Sequence, residues 1–409
     1  MTRSSAGFLA SAAFVALGAA GVFAYSSGSS QLSFARVSDV SETSTSTQPI
    51  IPAVKHISTP MPVKAIYMTQ CAAGTPSFRK DLTKLIDETE LNAIVIDIKD
   101  YSGGIAFPSD DPMLAPYVSD KCGAGDMKEF VKELHDKDVY VIGRITVFQD
   151  PLYTSAHPEL AVKKETATTT VWKDNKGLSF IDVSAEPFWR YIVTLAKASY
   201  AIGFDELNFD YIRFPSDGNM KDIYYPWSRG KEKQVALEAF FKYLHGELKP
   251  IGIVLSADLF GMTATNEDDL NIGQVLERAL PYFDYIAPMV YPSHYPSGFH
   301  GYTKVNEHSY DIVHFSMGEA VRRTLATTTP IGSFAYQRIG TTSPAVYEKP
   351  SYTMSAMRPW LQSFDYPVTY TPEMVAAQIK AINDVGLYGY MFWDPANKYR
   401  SLRQILSTE

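Results

Sequence analysis

The chain has 409 residues, with 45 acidic against 37 basic side chains and a net charge of −8. That balance excludes a protein built mainly to bind nucleic acid, which needs a basic footprint, and 45% hydrophobic against 20% charged residues excludes a disordered chain. The length allows two or three average domains or one large α/β barrel, and 13% aromatic residues call for either a core or a binding surface.

Residues 1–25 place Arg3 before an apolar run rich in Ala and Gly, the order of a secretory signal. Val22 and Ala24 offer a small-residue cleavage pattern. The alternative is an uncleaved anchor, with membrane attachment through residues 7–24, because the run approaches bilayer length. Both readings put the rest of the chain outside the cytoplasm, secreted or held on the outer face of the cytoplasmic membrane. Residues 26–48 hold twelve Ser or Thr in 23 positions, a composition that cannot offset its ordering entropy, so 26–60 reads as a tether. The two cysteines, Cys71 and Cys122, follow this export segment; a disulfide and two separate thiols are equally consistent with the sequence, and their spacing is not that of a metal site.

From residue 61 to 409, β-branched runs alternate with amphipathic stretches. Strands are expected at 63–69, 93–98, 139–147, 204–209, 251–257, 285–290, 357–364 and 389–393. Helices are expected at 78–91, 126–137, 186–201, 229–248, 271–280, 308–325, 373–385 and 396–407. Eight such units point to an α/β fold of the (β/α)8 TIM-barrel type, with 327–355 as an irregular insertion or small hairpin. A doubly wound open sheet is the runner-up, but no glycine-rich phosphate loop follows the first strand.

Barrel enzymes carry their chemistry at the carboxyl ends of the strands. Strand two ends on Asp97 and Asp100, strand three carries Arg144, and strand four ends Asn208-Phe209-Asp210-Tyr211-Ile212-Arg213. Strand five ends on Asp258, strand six on Met289, Tyr291 and His294, strand seven on Trp360 and Gln362 with Arg358 a layer below, and strand eight on Trp393. So many polar groups at one rim would be costly in a mere core.

Strand alternation turns Asn208 and Asp210 to one face, with Arg213 beside Asp210 to favour its charge. Asp258 on the adjacent strand can complete a carboxylate pair, one ionised and one protonated, as glycoside hydrolysis requires. Asp210 and Asp258 are therefore the candidate catalytic residues. Asp97 and Asp100 are reserve acids, and Arg144, Asn208, Tyr211, Arg213, Met289, Tyr291, His294, Trp360, Gln362 and Trp393 are candidate substrate contacts. Phe148 and Tyr295 join the proposed aromatic rim, and His157 lies in a loop near it. No zinc motif, calcium loop or serine-nucleophile elbow is present in the sequence, so no cofactor or metal is expected.

These stretches resemble a bacterial family described as "Putative glycosyl hydrolase domain". The resemblance rests on VKAIYMT at 63–69, LNAIVIDIKDYSG at 91–103, VYVIGRITVFQDP at 139–151, GFDELNFDYIRFPSDG at 203–218, VLSADLFGMT at 254–263, YIAPMVYPSHY at 285–295 and GYMFWDPANKY at 389–399. It implies a carbohydrate-active barrel. A more distant likeness is to chitinase-type barrels, whose strand four carries Asp-x-x-Asp-x-Asp-x-Glu. Here Asp205, Asn208, Asp210 and Ile212 occupy that run, so the acid position is lost and the substrate-assisted mechanism is not carried over, although Met289, Tyr291 and Trp393 match. The expectation is an exported glycoside hydrolase acting on an envelope or extracellular polysaccharide or oligosaccharide. The alternative is a non-catalytic barrel that binds carbohydrate or cell wall. Linkage, stereochemistry and oligomeric state are open at this level.

Overall fold

The computed structural model describes residues 54–406. The export segment at 1–25 and the tether as far as residue 53 lie outside the described residues. Eight parallel strands close into a barrel: β1 (Lys64–Met68), β2 (Ala93–Lys99), β3 (Tyr140–Thr146), β4 (Glu206–Asp210), β5 (Val254–Phe260), β6 (Tyr285–Met289), β10 (Trp360–Gln362) and β11 (Tyr390–Trp393). Between β6 and β10, the short strands β7 (Thr328–Thr329), β8 (Gln337–Ile339) and β9 (Val346–Glu348) make a small antiparallel sheet. This is the segment whose irregular composition marks it as an insertion.

Alternation divides the buried residues into two populations. Ile94, Ile96, Leu207, Phe209, Leu255 and Ala257 face the helices and form the outer core, while Ala65, Val95, Ile142, Ala287 and Met391 fill the barrel. Two of the helices begin on a capping side chain followed by proline. Thr371 accepts from the Met374 N–H (3.3 Å) ahead of Pro372–Asp384, and Asp150 accepts from the Tyr153 N–H (2.7 Å) ahead of Pro151–Ala156. Among the described residues no helix is long and apolar enough to cross a membrane.

Three expectations are corrected. The fifth strand starts three residues later than its β-branched run implies, because Ile251 and Gly252 close a short 3-10 turn with Gly252 at φ 86°. The helix expected at 396–407 is a set of turns. Asp394 gathers the N–H groups of Ala396, Lys398 and Tyr399, and positive φ at Asn397 and Tyr399 breaks any helical path. Residues 54–59, read as the end of the tether, pack on the foot of the barrel. The Ile57 N–H donates to Asp205 Oδ1 (2.7 Å), His56 stacks on Tyr200, and Thr59 bonds Tyr140 (2.9 Å). At the same end the buried pair Glu206–Arg358 closes the barrel floor, so Arg358 lies far from the carboxyl ends of the strands. Cys71 and Cys122, both above the other end, are joined in a disulfide across a sequence separation of 51.

Candidate active site

The carboxyl ends of β3, β4, β5, β6, β10 and β11 surround a cavity of about 270 Å3, near the lower end of small-ligand pockets. Arg144 stands at its floor as a hub. Its Nη1 donates to Asp97 (2.6 Å), and its Nε (3.1 Å) and Nη2 (2.5 Å) donate to Asp210 Oδ2. Its Nε also lies 3.8 Å from Asp258 Oδ2. Three strand-end carboxylates thus share one guanidinium. The expected Asp210–Arg213 pair is not formed; Asp210 takes its counter-charge from the preceding strand.

Asp210 is further fixed by the Tyr211 N–H (2.5 Å), with Tyr211 in the left-handed region at φ 52°. A non-glycine residue in that region at the end of a strand is local strain of the kind found at functional sites. Asp258 is held through Oδ1 by Asn208 (2.8 Å) and by the Trp360 indole N–H (2.7 Å), leaving Oδ2 toward Arg144 and the cavity. Burial, together with the negative charge of Asp210, pushes the Asp258 carboxyl well above the usual carboxylate range, while Arg144 and the two donors to Oδ1 oppose the rise. Asp97 is pushed up to about 6 by burial, against Arg144 and a hydrogen bond from Tyr67.

The cavity wall brings together most of the expected contacts: Tyr211, Arg213, Met289, Tyr291, His294, Trp360 and Trp393, along with Tyr295. Tyr291, Phe364 and Trp393 form an aromatic cluster with ring centroids 4.9–5.6 Å apart, and His294 packs against it. Burial and the nearby charge of Lys176 lower the His294 pKa, favouring the neutral ring.

Several expected residues fall elsewhere. Asn208 and Asp97 lie beneath the cavity, Asn208 donating to Asp258 and Asp97 accepting from Arg144. Asp100 folds onto its own loop, accepting from the Ser102 N–H (2.9 Å) and hydroxyl (2.6 Å). Gln362 ties loops together, accepting from the Ser293 N–H and donating to the Phe364 and Tyr366 carbonyls. Phe148 is not at the rim: after β3 the backbone pairs with Tyr211, and the ring is buried against Phe188 and Phe240. His157 bonds the Tyr117 hydroxyl outside the cavity (2.9 Å).

Sequence reasoning missed Phe260, Gly261 and Met262, which form the wall beyond β5. Gly261 is required there, since a Cβ would meet the Met289 carbonyl at 2.5 Å. It also missed Tyr67, whose place two residues after Ala65 on the inward face of β1 was a readable signal.

The family whose description is "Putative glycosyl hydrolase domain" matches residues 65–399. The chain belongs to this family. Among solved structures, a hypothetical protein from Ruminiclostridium thermocellum ATCC 27405 is 35% identical, over 47% of this chain and 96% of that one, with a TM-score of 0.43. The PgaB (BpsB) glycoside hydrolase domain from Bordetella bronchiseptica is 14% identical over 85% of this chain and 99% of its own, with a TM-score of 0.55. Alpha-L-fucosidase isoenzyme 2 from Paenibacillus thiaminolyticus is 9% identical over 84% of this chain and 48% of its own, with a TM-score of 0.54. No curated protein matches. The fold of this glycosyl hydrolase family member is therefore the closed barrel that glycoside hydrolase domains also use.

Proposed function

We propose that the protein is an exported glycoside hydrolase that cleaves a polysaccharide or oligosaccharide with retention of configuration, Asp210 being the nucleophile and Asp258 the general acid and base. The observation that carries this reading is the shared guanidinium. Oxygens of Asp210 and Asp258 lie 3.1 and 3.8 Å from the same Arg144 nitrogen, so they are at most about 7 Å apart, which favours the short spacing of retaining enzymes (about 5–5.5 Å) over most of the inverting range. Asp258, kept protonated by burial and by Asp210, gives its proton to the leaving glycosidic oxygen. Asp210 attacks the anomeric carbon to form a glycosyl ester as the glycosidic bond breaks. The Asp258 carboxylate then takes a proton from water, the water oxygen bonds to the anomeric carbon, and the Asp210 carboxylate leaves. Arg144 neutralises charge on Asp210 in both steps, while Tyr291, Trp393 and the neutral His294 offer ring faces and hydrogen bonds to the sugar.

The test is a panel of polysaccharides and aryl glycosides incubated with the purified full chain, with product masses and anomeric configuration followed by NMR. Release of the retained anomer is expected, along with its loss in Asp210→Asn. An inverted product refutes the roles given to the two acids, and wild-type turnover by Asp210→Asn refutes the nucleophile. Binding without turnover across the panel indicates a carbohydrate-binding barrel instead. Export rests on the segment at 1–25 and is supported by the Cys71–Cys122 disulfide, which suits an oxidising compartment; recovery of the chain from the cytoplasm with reduced thiols would refute it.

A further inference from the structure

Arg213 differs from the other largely buried arginines. Arg323 pairs with Glu277 (2.5 Å), Arg358 with Glu206, and Arg144 with Asp97 and Asp210. Arg213 is only 8% exposed, yet no carboxylate lies within ion-pair distance of it among the described residues. Among the described residues its one hydrogen bond runs from Nη1 to the carbonyl of its own neighbour, Phe214 (3.0 Å). The guanidinium is fixed nonetheless, 4.8 Å from the ring centroids of Tyr211 and of Phe260, and it forms part of the cavity wall.

Burying a cation without a counter-ion is costly, and two ring faces offset only part of that cost. A guanidinium has five donors in a rigid fork suited to planar or tetrahedral oxyanions; here one donor is used and the plane is held by aromatic rings. The guanidinium borders the cavity, so a group bound there meets its unused donors.

We propose that the substrate is an acidic glycan, and that Arg213 receives the anionic group of the sugar bound in this cavity. The inference rests on the reading of the cavity as a carbohydrate site and adds the chemical class of the sugar. Lys176, close enough to His294 to disfavour its protonation, puts a second positive charge near the same sugar path. Asp210, and after it Asp217 and Asp174 in the neighbouring loops, temper the local field without reaching ion-pair contact.

The experiment is isothermal titration of the full chain with hexuronic acid oligomers, with the same oligomers as methyl esters, and with sulfated and phosphorylated hexosamines. Loss of a charge-assisted contact predicts binding of the acid at least about tenfold tighter than its ester. Arg213→Gln abolishes the preference, and Arg213→Lys keeps part of it. Preference for the uronate over the sulfated and phosphorylated sugars assigns the anion as carboxylate, and the reverse assigns it as an ester oxyanion. Equal binding of acid and ester overturns the proposal, as does an unchanged preference in folded Arg213→Gln or failure of every acidic sugar to bind. The wild-type acid-to-ester comparison stands even if the glutamine variant does not fold. Turnover of neutral glycans with no acidic preference would overturn this inference and leave the glycosidase reading intact; an acidic preference without turnover would do the opposite.

Discussion

Replacing Asp258 with asparagine separates the acid from everything else that residue does. The side-chain oxygen of asparagine can keep both contacts to Oδ1, from Asn208 at 2.8 Å and from Trp360 at 2.7 Å. The approach to Arg144 that is lost is long, 3.8 Å, and the cost of burying an ionisable group disappears. The net change in folding free energy is therefore expected within about 1 kcal/mol. The catalytic loss is much larger, because general acid catalysis contributes about 10²–10⁴ in rate, or roughly 3–5 kcal/mol of barrier. That full loss applies only when the departing oxygen needs a proton. With an alkyl or sugar leaving group, kcat should fall by about 10²–10⁴; with a dinitrophenyl leaving group, bond cleavage should be nearly unaffected and the later hydrolysis of the glycosyl ester should limit turnover. Azide, which needs no base, should then restore turnover and give a glycosyl azide of unchanged configuration. Steady-state and burst kinetics on the two substrates, with urea denaturation as the folding control, measure each part. Equal losses of the bond-cleavage step on both substrates, or none on either, would refute the assignment of Asp258 as the acid.

Other consequences follow from the same geometry. Above the unfolded carboxyl value of about 4 the native state keeps a proton on Asp258 that the unfolded chain has released, so this group's contribution to stability falls as pH rises; denaturation at several pH values should show a shallower decline in Asp258→Asn, and an identical slope would count against the raised pKa. Arg144→Met leaves Asp97, Asp210 and Asp258 clustered without their cation, and should cost about 3–5 kcal/mol at pH 7. The penalty should shrink near pH 5, because Asp97, already pushed up to about 6, rises further and neutralises; a pH-independent penalty would be inconsistent with this. Asp205→Asn should weaken the packing of residues 54–59. Although burial opposes the charge, hydrogen bonds from His135 and the Val141 and Ile57 N–H groups, with His56 3.6 Å away, hold the Asp205 carboxyl below its usual range. Its contribution, about 2–3 kcal/mol, is thus present above pH 4 and lost as pH falls through the native value; thermal melts of both proteins at pH 7 and pH 3 test it, a gap as wide at pH 3 as at pH 7 being the contrary result. Serine at both Cys71 and Cys122 should lower stability by roughly 4 kcal/mol for a separation of 51 residues, read by urea denaturation, and an unchanged midpoint would contradict the loop-entropy argument.

The barrel and most of its mouth were legible because both rest on strand alternation. Asn208, Asp210, Asp258, Trp360 and Trp393 face inward by the same period-two rule that sends Leu207 and Phe209 to the helices. Pairing across strands was not legible. Arg213 is near Asp210 in sequence, but the β3–β4 ladder aligns Thr146 with Asp210 and Arg144 with Asn208, so Arg144, one inward-facing position lower on the neighbouring strand, reaches Asp210 with its long side chain. Local backbone choices were also hidden: the Asx turn that diverts Asp100, the 3-10 turn at Gly252 that delays β5, and the pairing of residue 148 with Tyr211 that rotates Phe148 outward. These depend on hydrogen bonds that composition does not specify. That Arg213 pairs with no carboxylate among the described residues could be seen only once its neighbours had been placed.

The packing of residues 54–59 on the foot of the barrel has a practical side. Those residues are fastened to Asp205, Tyr200 and Tyr140 at the amino-terminal ends of the strands, so the described chain enters the barrel at the end remote from the cavity. A bead, a reporter domain or a surface coupled ahead of residue 54 would join the molecule at its closed end and leave the mouth facing outward. Immobilisation from that side should therefore preserve access for a long glycan, whereas coupling through the loops that follow the strands should block it.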